Sequence, residues 1–194
     1  MAMLIAITGG IGSGKSVVSN VLATMGYPVY DTDSEARRLM NADARVREAL
    51  IQAFGHEVFG ADGTLNRAGL ASKVFNNPEA LQLLNSIVHP AVRDDVKCWC
   101  RNQASPIAFV ETAILHQSKM DGMVDAVWTV TAPMQVRIER VMHRSGLTAS
   151  QVADRIRSQQ VEEGKTDVVI ENDGEQAILP QIVQALHSLK PCKC

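Results

Sequence analysis

Residues Gly9 to Ser16, reading GGIGSGKS, constrain this chain more than any other stretch because of what flanks them. Upstream, Met3 to Thr8 (MLIAIT) is a continuous apolar run stopped by glycines, as expected of a central parallel strand covered on both faces. Downstream, Val17, Val18, Val21, Leu22 and Met25 recur at helical spacing, and Gly26 stands where a helix would stop. The pattern G-x-x-x-x-G-K-[ST] is met by Gly9, Gly14, Lys15 and Ser16, in the strand-to-helix context that its chemistry requires. Glycines allow positive φ, so that successive amide N–H groups can point into one concavity and hold phosphate oxygens. The helix N-terminus adds unpaired N–H groups and its positive dipole end. The segment Gly10, Ile11, Gly12, Ser13, Gly14, Lys15, Ser16 and Val17 is therefore expected to hold ATP. Within it Lys15 reaches the β/γ-phosphates and the Ser16 hydroxyl is placed for Mg²⁺.

Further along, Pro28 to Tyr30 reads as a short strand ending in Asp31-Thr32-Asp33, and Ser34–Met40 and Ala44–Phe54 read as helices. From about Asp62 to Arg101 the chain carries turn signals and helical apolar spacing with nothing strand-like, so this stretch is expected to be a helical insertion. Strand character returns at Ile107–Val110 and Ala126–Thr131, the second followed by Ala132-Pro133 and a charged helix over Met134–Arg144. Val168–Ile170 is the last expected strand and Glu175–Leu189 the last helix. This alternation predicts an α/β fold of the P-loop NTPase class, a mostly parallel five-stranded sheet flanked by helices.

A formal net charge of -2 gives no electrostatic reason to expect nucleic acid as a partner. The run Met3 to Ile7 is too short for a membrane span and no basic segment precedes it, so a cytoplasmic location is expected. The cysteines form two C-x-C pairs, Cys98/Cys100 and Cys192/Cys194. Structural zinc sites favour C-x₂₋₄-C spacing, so reduced, unpaired thiols are the better expectation than a zinc site.

Three features bear on the reaction. At the C-terminal end of their strand, Asp31 and Asp33 would face the crevice where α/β sheets bind ligands; one could take or orient the proton of an attacking hydroxyl, and the other could hold water on Mg²⁺. A competing role is an N-cap for the next helix, supplied by Asp33 with Ser34. Arg137, Arg140 and Arg144, at i, i+3 and i+7, form one helical stripe that could close over ATP and neutralise the transferring phosphoryl group, or could simply face water. Glu111 follows the strand at Ile107–Val110, where P-loop enzymes often place an acid near Mg²⁺ or substrate. Guanine-specific N-K-x-D sequences are absent.

Taken in order, these pieces resemble the dephospho-CoA kinases over nearly the whole chain. The shared elements are T-G-G-I-G-S-G-K-S at Thr8–Ser16, D-x-D at Asp31–Asp33, D-G-x-L-x-R ending at Arg67, and N-x-x-x-H-P with Asn85, His89 and Pro90. They continue with the helix of Arg140 and Arg144, R-I-x-x-Q at Arg155–Gln159, and I-x-N at Ile170–Asn172. The resemblance implies ATP-dependent phosphorylation of the ribose 3′-hydroxyl of dephospho-CoA, the last step of coenzyme A synthesis. It implies Asp33 as catalytic base, Lys15 and Arg140 stabilising the transferred phosphoryl, and Arg144 and Asn172 around the ATP base or ribose. Arg67, His89 and Glu111 would lie on the acceptor side with Asp33, and Ser16 and Asp31 at the metal. The implied organisation is one domain, with its core at about 1–33, 104–136 and 166–190, a helical CoA-side insertion at about 34–103 and a lid at about 137–165.

One departure is visible. The family usually shows an acid, then x-P-L-L and a second acid after the third strand, whereas this chain reads Glu111-Thr112-Ala113-Ile114-Leu115-His116-Gln117, without the proline and with Gln117 for the second acid. A nucleoside or nucleotide monophosphate kinase of the same architecture is the nearest alternative, but Arg67 and Arg93 are the only arginines between Arg47 and Arg101, which is sparse for gripping a phosphate acceptor. A P-loop binding protein without turnover is the alternative from another class, opposed by the carboxylates at Asp31 and Asp33.

Overall fold

A computed structural model describes residues 2–158 and 164–189. The chain divides into two compact units, Met1–Tyr30 with Cys100–Cys194, and Asp31–Trp99. Gln159, Cys192 and Cys194, and part of the segment expected as a lid, lie outside the described residues.

In the first unit the chain alternates strand and helix: β1 (Met3–Thr8), α1 (Lys15–Thr24), β2 (Val29–Asp31), β3 (Ile107–Glu111), β4 (Ala126–Thr131) and β5 (Val168–Glu171) with the helices between and after them. The sheet has five strands in the order β2-β3-β1-β4-β5, so β1 is central. Its pairings with β3 and β4 are parallel, as is β4 with β5; Ile5 stands opposite Phe109 on one side and Ala126 on the other. A parallel sheet needs cover on both faces, which is why β1 reads as an unbroken apolar run. On one face Ile5, Ile7, Phe109, Trp128, Val130 and Ile170 meet Val18 and Leu22 of α1 and Ile182 and Ala185 of the C-terminal helix. Phe109 anchors the aromatic packing, edge-on to Trp128 at 5.2 Å between ring centroids and to Tyr27 at 5.6 Å. Each large side chain buried in this way contributes about 2–3 kcal/mol. Carboxylates tie the starts of two strands: Asp125 accepts from the amide of Leu4, and Asp167 from that of Val127.

The remaining helices of this unit are α6 (Met134–Ser145), α7 (Ala149–Ser158) and α8 (Ile178–Ser188). Gly146, at φ 67°, closes α6. Periodicity alone did not separate α7, yet its start is written in a capping box: the Gln151 amide donates to Thr148 Oγ1, and Gln151 Oε1 accepts from the Thr148 amide. The last helix begins at Ile178 rather than Glu175, because the Asp173 carboxylate accepts from the amides of Glu175 and Gln176 and holds them in a turn through Gly174 (φ 95°). The third strand extends to include Glu111, one residue beyond the expected end.

The second unit is helical: α2 (Thr32–Ala42), α3 (Ala44–Phe54), α4 (Arg67–Val74) and α5, which runs Pro78–Arg101 and so continues past the unit's end. Its core is Val46, Leu50, Phe54, Val58, Leu65 and Leu70, with Leu84, Ile87 and Ala91 of α5 packed against it. Asp43 separates α2 from α3 and caps the latter, accepting from the amides of Arg45 and Val46. Arg47 stacks its guanidinium 4.2 Å over the ring of Phe59. Asp31, not Asp33, is the N-cap of α2: it accepts from the Asp33 amide and from the Ser34 hydroxyl. The alternative cap by Asp33 with Ser34 is not formed; the cap stands two residues earlier, since Asp31 has the extended backbone (φ -88°, ψ 107°) that lets its side chain fold onto the first turn. On α5, Cys98 is exposed and Cys100 buried, and neither forms a disulfide. No group of three or more His, Cys, Asp or Glu among the described residues is arranged to hold a metal.

Candidate active site: a phosphate loop held by three side chains

The turn from β1 into α1 depends on its glycines in two ways. Gly9 (φ 145°), Gly12 (φ 79°) and Gly14 (φ 93°) take backbone conformations that L side chains rarely adopt. They also have no room for a Cβ: one on Gly9 would stand 2.3 Å from the Val130 carbonyl oxygen, and one on Gly14 2.0 Å from Asn172 Nδ2. Gly14 is the N-cap of α1, so the positive end of that helix's dipole lies at the loop, where it favours an anion.

Three alternate carbonyls of the loop are each held by a side chain. Lys15 Nζ donates to the carbonyl of Gly9 at 2.9 Å, Arg137 Nε to that of Ile11 at 2.8 Å, and Asn172 Nδ2 to that of Ser13 at 2.9 Å. In a planar trans peptide the C=O of one residue and the N–H of the next point in opposite directions. Pinning the carbonyls of Gly9, Ile11 and Ser13 outward therefore orients the N–H groups of Gly10, Gly12 and Gly14 the other way. Asn172 is itself fixed, since Arg140 donates to its backbone carbonyl at 2.8 Å and to its Oδ1 at 3.1 Å.

Beside the loop lies a cavity of about 310 Å³, large enough for a nucleoside-sized group. Thr8, Gly9, Gly10 and Ser13 line it on the loop side, and Thr129 and Thr131 of β4, His116 and Arg137 are among its other lining residues. Ser13 is 1% exposed and its Oγ is buried without a hydrogen-bond partner. A glycine-rich turn, a helix N-terminus, a lysine and an orphaned hydroxyl fit a polyphosphate. The Ser16 hydroxyl is exposed in the first turn of α1, where it can ligate a cation accompanying that polyphosphate.

The expected site residues divide between the two units. Gly10 to Val17, Arg140 and Asn172 come together in the first. Arg140 and Asn172 bear on the loop backbone itself, with Asn172 only 6% exposed. Arg144 is exposed in the last turn of α6, about 6 Å further along the axis than Arg140. Glu111 ends β3, in register with Ile7 of β1. In the second unit Asp31 caps α2 and Asp33 is exposed in its first turn. Arg67 is exposed at the start of α4, and His89 is half-buried in α5. Burial, and then the charge of Arg93, push the His89 imidazole below its ordinary pKa. Sequence reasoning placed Arg137 only in a stripe of arginines. Its contact with Ile11 is separated by 126 residues and leaves no local signal; the i, i+3 spacing with Arg140 was the available hint.

A family model described as dephospho-CoA kinase matches residues 3–177. The dephospho-CoA kinase of Bacteroides fragilis is 40% identical over 190 residues, covering 96% of this chain and 92% of the relative. That of Porphyromonas gingivalis is 37% identical, covering 96% and 94%. The crystal structure of TT1252 from Thermus thermophilus superposes with a TM-score of 0.79 at 35% identity, covering 96% of this chain and 95% of that one. With a phosphate loop of this kind and relatives matched along nearly their full length, the chain belongs to the dephospho-CoA kinase family.

Proposed function

We propose that this chain transfers the terminal phosphoryl group of ATP to the ribose 3′-hydroxyl of dephospho-CoA, giving coenzyme A and ADP. The observation that carries this reading is the pinned loop at Gly9–Ser16, which is built as a nucleotide phosphate site, in a chain of this family.

Gly10 to Val17 bind the ATP phosphates through backbone amides and the N-terminus of α1. Lys15, whose ammonium rests on the Gly9 carbonyl, reaches the β/γ-phosphate oxygens with its remaining N–H donors. Asp33 accepts the proton of the attacking ribose hydroxyl as its oxygen bonds to the γ-phosphorus and the β,γ-bridging oxygen leaves with ADP. Mg²⁺, when bound, neutralises charge on the β- and γ-phosphates; Ser16 would hold it directly. Asp31 would do so through water, since an ionised carboxylate keeps lone pairs after accepting the two capping hydrogen bonds. Arg140 supplies positive charge beside Asn172, and Arg144 extends the arginine stripe towards the nucleotide. Arg67, His89 and Glu111 are assigned to the acceptor. The core, the helical CoA-side insertion (about 34–103) and the lid (about 137–165) then act as one domain. Among the described residues no helix is long and apolar enough to cross a membrane, and we assign the enzyme a cytoplasmic place with small-molecule partners and no nucleic acid.

Incubation with Mg-ATP and, in turn, dephospho-CoA, adenosine, AMP or CMP, with ADP release as the readout, tests this. ADP is expected with dephospho-CoA. Turnover of a monophosphate but not of dephospho-CoA would overturn the assignment in favour of a nucleotide kinase, and no turnover with any acceptor would favour a binding protein.

A further inference from the structure

We propose that Arg137 is the positioning residue of the phosphate loop, holding the peptide between Ile11 and Gly12 so that the Gly12 amide faces bound phosphate. The inference rests on ATP being the ligand of the loop.

Arg137 is the second of two long-range restraints on the loop. Asn172 pins the Ser13 carbonyl from beyond β5, while Arg137 reaches the crown from the first turns of α6. Its Nε donates to the Ile11 carbonyl, and the terminal nitrogens lie beside Gly10. A Cβ built on Gly10 would stand 2.3 Å from one of them. A Cβ on Gly12 would meet the backbone carbonyl oxygen of Arg137 at 2.6 Å. Two loop glycines thus lie directly against this one residue. Gly10 has no positive φ, so crowding by the guanidinium rather than backbone strain is what a side chain there would meet. Burial without a carboxylate neighbour lowers the Arg137 pKa, the expected result of holding a guanidinium for its geometry rather than for an ion pair. A planar fork suits this position, since Nε bonds a carbonyl while the terminal nitrogens lie beside a glycine, which a single ammonium cannot do.

Arg137 acts through the loop, so its loss should appear chiefly in nucleotide affinity. In the full chain, Arg137→Met should weaken ATP binding, measured calorimetrically without acceptor, by about 10-fold, the size of one charge-assisted hydrogen bond. The turnover rate at saturating ATP should change by less than that, and Arg137→Lys should recover part of the affinity. Gly10→Ala, which displaces the guanidinium without strain in its own backbone, should weaken ATP binding in the parent. The same change should cost several-fold less in the Arg137→Met background, where the added methyl group has room.

ATP affinity unchanged in Arg137→Met, or purely additive effects of the two substitutions, would overturn the proposal, as would equal losses in the Met and Lys variants accompanied by a large fall in melting temperature. If Arg137→Met does not fold, Gly10→Ala and Arg137→Lys decide alone: parental affinity in both overturns the proposal, and weakened binding in both supports it. Failure confined to these variants leaves the kinase reading intact, because the parent still binds ATP and phosphorylates dephospho-CoA; a parent that binds no ATP overturns both.

Discussion

Asn172 holds the carbonyl of Ser13 at 2.9 Å across 159 residues, and so couples the end of β5 to the phosphate loop. Its side chain is fully engaged, since Oδ1 accepts from Arg140 while Nδ2 donates to Ser13. The residue that family resemblance puts around the ATP base or ribose is also a clamp on the loop's backbone.

Replacing that clamp has a calculable cost. Asn172→Ala leaves the Ser13 carbonyl and the Arg140 guanidinium short of a partner, which should lower stability by about 1–3 kcal/mol. ATP affinity should fall with it. Asn172→Asp keeps an acceptor for Arg140 but turns an oxygen towards the Ser13 carbonyl, so it should bind ATP no better than the alanine variant. Urea denaturation and calorimetric titration of ATP check both.

Two glycines of similar backbone separate strain from crowding. Gly14 (φ 93°) and Gly26 (φ 90°) flank α1, but a Cβ on Gly26 meets nothing within 4 Å whereas one on Gly14 stands 2.0 Å from Asn172 Nδ2. Gly26→Ala should therefore cost only the left-handed conformation, about 1–2 kcal/mol, with ATP binding unaltered. Gly14→Ala should cost more in denaturation and also abolish detectable ATP binding. Equal stability losses and intact ATP binding in both variants would contradict the crowding at Gly14.

The limits of β1 and β4 were legible in the sequence because glycines or an Ala-Pro step end each apolar run, and the loop because its chemistry leaves few residue choices. Hydrophobic periodicity reports which face of an element is apolar, and it read α3 to the residue. It does not report which carbonyl a guanidinium reaches, so Arg137 was visible as a helical position and not as a partner of Ile11. The cap of α2 is left open in the sequence because Asp31 and Asp33 both precede plausible helix starts; backbone conformation decides between them, and that depends on where β2 ends.

That distinction gives the two aspartates different expected phenotypes. Asp33→Asn should retain ATP binding and lose turnover by ~10²-fold or more, the usual size of a general-base contribution. Asp31→Ala removes the cap of α2, and should cost about 1 kcal/mol of stability. Its turnover should recover partly with raised Mg²⁺ if the carboxylate also serves the metal through water. Steady-state kinetics at several Mg²⁺ concentrations, beside thermal melts, separate the roles; unchanged turnover in Asp33→Asn would remove Asp33 from catalysis.

The helical unit carries a pH signature at His89. The His89 pKa is pushed below its ordinary 6.5 first by burial and then by Arg93, one helical turn along α5. A lowered imidazole pKa in the folded state means that, as pH falls through about 6.5, the unfolded chain takes up a proton before the folded one does. Stability should therefore decline as pH drops below that value and stop declining, on this account, once pH passes the folded pKa. His89→Gln should remove this part of the pH dependence, and Arg93→Gln should shrink it by relieving the smaller of the two causes. Urea denaturation of the three proteins between pH 7.5 and 5 measures it: a parent curve that is flat through this range, or a His89→Gln curve that declines as steeply as the parent's, would show that His89 remains as easily protonated in the fold as in the unfolded chain.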